Sequence, residues 1–149
     1  MLDLKKALLA AAEQGDAKAQ FNLGVMLENG IDDNGRAIEG SKAEAMRAEA
    51  VKWLLSAAEQ GLPRAQLQLA EAYARGGEPP EDYVKACGWF LVAMTRLSGV
   101  HRHRARSGYE QVRSRLTPAQ ITKTTRFAQA QNLKTAPGTA AGLDPWKAV

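Results

Sequence analysis

The sequence predicts an all-α fold built as a solenoid of helix pairs, on three observations. The first is a repeat. "AAEQGDAKAQFNLG", from Ala11 to Gly24, returns as "AAEQGLPRAQLQLA", from Ala57 to Ala70, at an offset of 46 residues. Ala11, Ala12, Glu13, Gln14, Gly15, Ala19, Gln20, Leu23 and Gly30 all have identical counterparts in that register. At an offset of 36, Ala50, Trp53, Leu55 and Ala57 match Ala86, Trp89, Leu91 and Ala93. Repeats of roughly 20–50 residues mark stacked supersecondary units. The second observation is composition. Hydrophobic residues make up 45% of the chain but aromatics only 6%, and alanine supplies much of the remainder, which favours closely packed helices over sheets. The third is punctuation: Gly15, Gly30, Gly61, Gly76 and Gly99 fall where the helical periodicity breaks.

Seven helices follow in order, over residues 2–14, 17–29, 41–60, 63–75, 81–98, 100–115 and 118–132. The first, "MLDLKKALLAAAEQG", is read as an amphipathic helix. Its apolar run "ALLAAA" is six residues and ends at Glu13, shorter than the roughly 7–15 of a secretory leader. In the second, Ala19, Leu23, Met26 and Leu27 recur at helical spacing, Asp16 caps the start and Gly30 ends it in a left-handed conformation. In the third, Ser41 and Glu44 form an S-x-x-E capping box, Trp53, Leu54, Ala57 and Ala58 give the apolar stripe, and Gly61 stops it. Small residues at Ala19, Gly24, Ala65 and Ala70 let neighbouring helices of the second and fourth segments approach closely. Trp53 and Trp89 fill the space that remains. The last helix opens with "TPAQ", where Thr117 caps, Pro118 takes the first helical position and Gln120 completes the box. Residues 1–133 therefore read as one helical-repeat domain. Residues 134–149 read as a tail, flexible or docked in the groove through Leu143 and Trp146.

Charge is unevenly spread. Residues 1–95 carry ten Lys/Arg against fourteen Asp/Glu, whereas residues 96–126 carry eight Lys/Arg against Glu110 alone. That asymmetry predicts two faces with different electrostatic partners. Cys87 is the single cysteine, so no internal disulfide forms, which fits a reducing compartment and a cytoplasmic location. No stretch reaches the ~20 apolar residues of a membrane span.

The combined pattern "AQFNLGVMLENG … AVKWLLSAAEQG" resembles the Sel-one-like repeat family, relatives of the tetratricopeptide repeats, over about residues 2–99. The "LTPAQI" helix resembles the closing helix of many bacterial members. The resemblance implies a right-handed α-solenoid of antiparallel helix pairs acting as a protein-binding scaffold, without catalysis or cofactor. Two departures stand out. The first unit is 46 residues rather than about 36, because Gly30 to Ala50 spans ten residues more than Gly76 to Ala86. A cysteine-rich branch of the family carries one disulfide per repeat, and this chain does not.

In repeats of this kind the first helix of each pair lines a concave groove. By motif position that places Lys18, Phe21, Val25 and Glu28 in the first repeat, and Arg64, Leu67, Glu71 and Ala74 in the second. Such a mixture suits a protein or peptide partner. The competing reading puts Phe21 and Leu67 in the core. In the basic run "HRHRARSGYEQVRSR", Ala105, Tyr109, Val112 and Leu116 form one stripe. Arg102, Arg106 and Arg113 lie on one flank of it, Arg104 and Arg115 on the other. A structurally paired or solvated face, an acidic protein partner, and nucleic acid are the open alternatives for this helix. Self-association through repeat stacking is another. His101 and His103 lie two positions apart on a helix, roughly 200° around it, and cannot share a metal. Cys87 reads as a buried inert thiol. No nucleophile, metal or phosphate-loop motif is present in the sequence, and the expectation is a non-enzymatic adaptor.

Overall fold

The computed structural model describes residues 2–30, 36–76 and 80–134. Through them run α1 (Leu2–Glu13), α2 (Ala17–Glu28), α3 (Ser41–Glu59), α4 (Pro63–Gly76), α5 (Pro80–Met94), α6 (Gly99–Arg113) and α7 (Pro118–Lys134). The expected tail with Trp146 lies outside the described residues.

Local chemistry sets most of the boundaries. The Asp16 carboxylate accepts the Ala19 N–H at 3.1 Å and starts α2. Gly30 ends it at φ 62°, a left-handed conformation that costs glycine little. At α7 the Thr117 N–H donates to Gln120 Oε1 (2.9 Å) while the Gln120 N–H donates to Thr117 Oγ1 (3.2 Å), a complete capping box. The box expected at Ser41 and Glu44 does not form. Gly40 is the N-cap, so Ser41 is already helical and Glu44 sits one position too far along to reach back. Helix α5 stops at Met94, four residues before its expected end. There the Ala93 carbonyl accepts both the Arg96 and Leu97 N–H groups, and the Thr95 hydroxyl donates to Val92 O at 2.7 Å, closing the last turn.

The chain divides into two compact units, Met1–Ala65 and Gln66–Val149. In the first, α2 packs against α1 and α3 around Ala12, Ala19, Leu23, Leu27 and Ala50, flanked by Leu8, Leu9, Met46 and Trp53. Gly24 sets the closeness of α2 to α3. A Cβ there would lie 2.8 Å from Leu54 Cγ and 3.3 Å from the Ala50 carbonyl oxygen. The repeated glutamines have a shared task in this unit. Buried Gln20 donates through Nε2 to Ala12 O (3.0 Å) and accepts from Gln60 Nε2 (2.8 Å), tying the end of α1 to the end of α3. The third helix is long as expected: nineteen residues against twelve in α2. That is roughly 10 Å more helix. Among its first nine residues only Ala43 is buried, so the added length stands largely in solvent.

In the second unit α5 is central and packs against both α6 and α7. Its aromatics Trp89 and Phe90 are buried, and Trp89 meets Phe127 of α7 edge-to-face, with centroids 5.1 Å apart at 76°. Helix α6 crosses Phe90 at Gly108, where a Cβ would fall 2.4 Å from the ring.

Candidate functional site

The predicted binding residues fall into three surroundings. In the first unit, helix periodicity turns Ala19, Leu23 and Leu27 into the core and leaves the α2 face of Lys18, Phe21, Val25 and Glu28 outward. Lys18 is exposed and the other three are half-buried. The Arg64 guanidinium stands 5.6 Å from the centre of the half-buried Phe21 ring, a cation–π contact.

In the second unit the expectation for Leu67 is overturned. It is 2% exposed and belongs to the core. An apolar residue beside the packing stripe was drawn inward because α4 is covered over more of its circumference than a single stripe. Glu71 is half-buried at a cleft between α4 and α6. Its two carboxylate oxygens accept from Arg104 Nε (2.8 Å) and Nη2, a forked ion pair across 33 residues of sequence. The hydrogen bond that Arg104 donates to Glu71, opposed by partial burial and aided by the carboxylate's charge, holds Arg104 above its usual guanidinium range. Arg75, one turn further along α4, lines the same cleft, and burial together with the neighbouring charge of Arg104 lowers its pKa. Phe90 and Gly108 form the apolar side, and the cleft encloses about 380 Å³. Volumes of roughly 300–1,000 Å³ are typical of binding pockets.

The arginines of α6, and Arg115 just past its end, divide between the two flanks read from the sequence. Arg104 holds Glu71. Arg115 donates to Tyr83 Oη at 2.7 Å and stacks 5.2 Å from that ring's centre. On the other flank Arg102, Arg106 and Arg113 are exposed, and among the described residues they form no ion pair. Ala105 and Val112 of the intervening stripe are buried. Cys87 is fully buried, and burial, against the weaker opposing effects of a Thr124 hydrogen bond and of Arg113, pushes its thiol up to about 11.

Sequence reasoning missed Arg75, Phe90 and Gly108 as parts of a site. The one local signal was a glycine in the interior of a helix, which marks a close approach. The approach to Phe90, and the assembly of α4 with α6, are tertiary facts.

Paired helices in repeated order, with small residues at their contacts, define an all-α helical-repeat solenoid. The comparisons with known proteins agree. The Sel1 repeat model matches residues 17–62 and 63–97, more than half of the chain. The chain belongs to the Sel1 repeat family. It is also similar, at 28% identity and a TM-score of 0.68, to a solved structure, "c5321: a protective antigen present in uropathogenic Escherichia coli strains displaying an SLR fold". That match covers 94% of this chain and 29% of the other, so the chain spans less than a third of its relative's length. No curated protein matches the chain significantly. Sel1 repeat folds are generally protein-interaction scaffolds and typically not enzymes. Among the described residues no helix is long and apolar enough to cross a membrane.

Proposed function

We propose that this chain is a non-enzymatic adaptor that binds a protein or peptide partner through side chains presented by the first helices of its repeats. The observation that supports it is the α2 face: Phe21 is half-buried beneath Arg64 and next to exposed Lys18, while its neighbours on the helix supply the core. A partly accessible aromatic beside steering charges is the usual make-up of an interaction anchor. The E. coli source of the structural relative supports a bacterial setting, and the one free, buried thiol suits the cytoplasm.

The test is capture with the tagged chain from its native source, followed by cross-linking at position 21. The wild type retains a protein that cross-links there, and Phe21→Ala combined with Lys18→Glu loses it. A wild type that retains nothing, or a double variant that retains the same protein equally well, overturns the assignment.

A further inference from the structure

We propose that α1 is an interface between two copies of this chain, in which the α1 helices lie antiparallel about a two-fold axis and each covers the face that the other leaves open. The inference stands apart from the adaptor reading and uses none of its residues.

The repeat itself identifies the open face. Lys6, Leu8 and Leu9 stand where Lys52, Leu54 and Leu55 stand, in the register that already matches residues 11–15 to 57–61. Helix α1 is thus a counterpart of α3, and Leu4 and Leu8 take the places of Ala50 and Leu54. In α3 both of those residues are fully buried. Leu54 Cγ and the Ala50 carbonyl oxygen reach to 2.8 and 3.3 Å of where a Cβ on Gly24 of α2 would lie. In α1 the same two places are open. Leu4 is 58% exposed, and Leu8 is half-buried with one side on the Ala12–Leu23 core. A helix seated on α1 as α2 is seated on α3 would cover both.

Three observations name a second copy as the occupant. The face is self-complementary in size. At 3.6 residues per turn Leu4, Ala7, Leu8 and Ala11 share one side of α1. In an antiparallel pair centred between residues 7 and 8, Leu4 meets the partner's Ala11 and Leu8 meets the partner's Ala7. Each large side chain then faces a small one, and the two-fold axis repeats every pairing. Charge does not oppose the contact. Lys6 and Glu13 project from the far side of the helix, and the two Lys5 side chains remain in solvent, about 7.5 Å apart along the axis. Lastly, among the described residues no other helix of this unit has such a face to give. Helix α2 is held between α1 and α3, and the exposed first half of α3 carries Lys42, Glu44, Arg47 and Glu49.

Twelve residues make a helix about 18 Å long. A contact of that length falls below the roughly 1,200 Å² of standard interfaces, among weak and reversible pairs. The dissociation constant is therefore expected on the order of 10–100 μM.

Sedimentation equilibrium of the full chain, from well below to well above that range, tests the proposal. Monomer and dimer are the two species expected, with dimerisation unchanged or stronger in high salt, as an apolar contact flanked by like charges requires. Leu4→Glu places a charge in the contact and weakens dimerisation by about tenfold or more. Its thermal melt, taken where both proteins are monomeric, stays close to that of the wild type because Leu4 is exposed in the monomer. A second measurement reads the orientation. Chains carrying Leu4→Cys are mixed with chains carrying Ala11→Cys and mildly oxidised. The mixed cross-link is expected to dominate, because antiparallel pairing sets the two positions 4 about 10.5 Å apart along the axis, beyond the span of a disulfide. Cys87 is buried and takes no part. A chain that stays monomeric throughout, a dimer indifferent to Leu4→Glu, or one that dissociates in salt overturns the proposal. So does a Leu4→Cys homodimer that forms as readily as the mixed one, or growth beyond a dimer, which would mean that copies stack end to end. A monomer that instead retains a different protein through Leu4 gives the face to that protein and overturns the second copy as its occupant.

Discussion

Replacing Gly108 by alanine tests how α6 is seated. In an unconstrained helix interior, alanine is more favourable than glycine by about 1 kcal/mol. Here the new Cβ would lie 2.4, 2.5 and 2.9 Å from three atoms of the Phe90 ring. Carbon atoms in good contact are roughly 3.5–4.0 Å apart. The helix must therefore withdraw by about 1 Å or the ring must turn. The ring has little room, since Phe90 is 2% exposed within the core. Overpacking of that kind costs roughly 1–3 kcal/mol, and clashing with a ring in the core puts this case near the top of the range. Set against the propensity gain, the net loss is about 2 kcal/mol. Thermal melting followed by helical circular dichroism should show a midpoint lower by about 5 °C or more. In a Phe90→Leu background the obstruction is smaller, and Gly108→Ala should become neutral or stabilising there. A higher melting point for Gly108→Ala in the wild-type background would refute the close approach of α6 to Phe90.

Three further outcomes are expected. Phe127→Ala removes the edge-to-face partner of Trp89 and leaves a cavity, so it should lower stability by about 3–5 kcal/mol and shift the tryptophan emission; a loss below about 1 kcal/mol contradicts the packing described. Cys87 should resist a thiol reagent at neutral pH in the folded protein and react once upon unfolding, with rapid native labelling as the contrary result. Its raised pKa also carries a sign: the unfolded thiol ionises from 9.0 upward while the folded one holds its proton to about 11, so this group's contribution to stability is intact below pH 9.0 and lost as pH rises to about 11. Finally, Arg102→Ala, Arg106→Ala and Arg113→Ala should each change stability by no more than about 0.5 kcal/mol, as exposed residues without an ion pair among the described ones. A larger loss in melting would give that flank a structural role. Binding of the wild type to duplex DNA that weakens steeply with salt, and is lost in the triple variant, would instead favour the nucleic-acid alternative.

The repeat by itself determined the helical-repeat class, because identical residues at fixed intervals demand the same local structure. Backbone chemistry that acts within a few residues was equally legible. Asp16, Gly30 and the Thr117–Gln120 box work as their identities require. The split of the α6 arginines into two flanks follows from helical geometry alone. What each flank touches does not. Glu71 meets Arg104 across 33 residues, and Gly108 meets Phe90 on another helix. Gly108 signals a close approach but not its partner, and Glu71 carries no such signal, since each partner depends on how far and at what height one helix lies against the next. The same dependence took Leu67 into the core and left Phe21 half-buried, although the repeat gave both the same position. A period specifies which way a side chain points. Whether anything covers it is decided only when the neighbouring helices arrive.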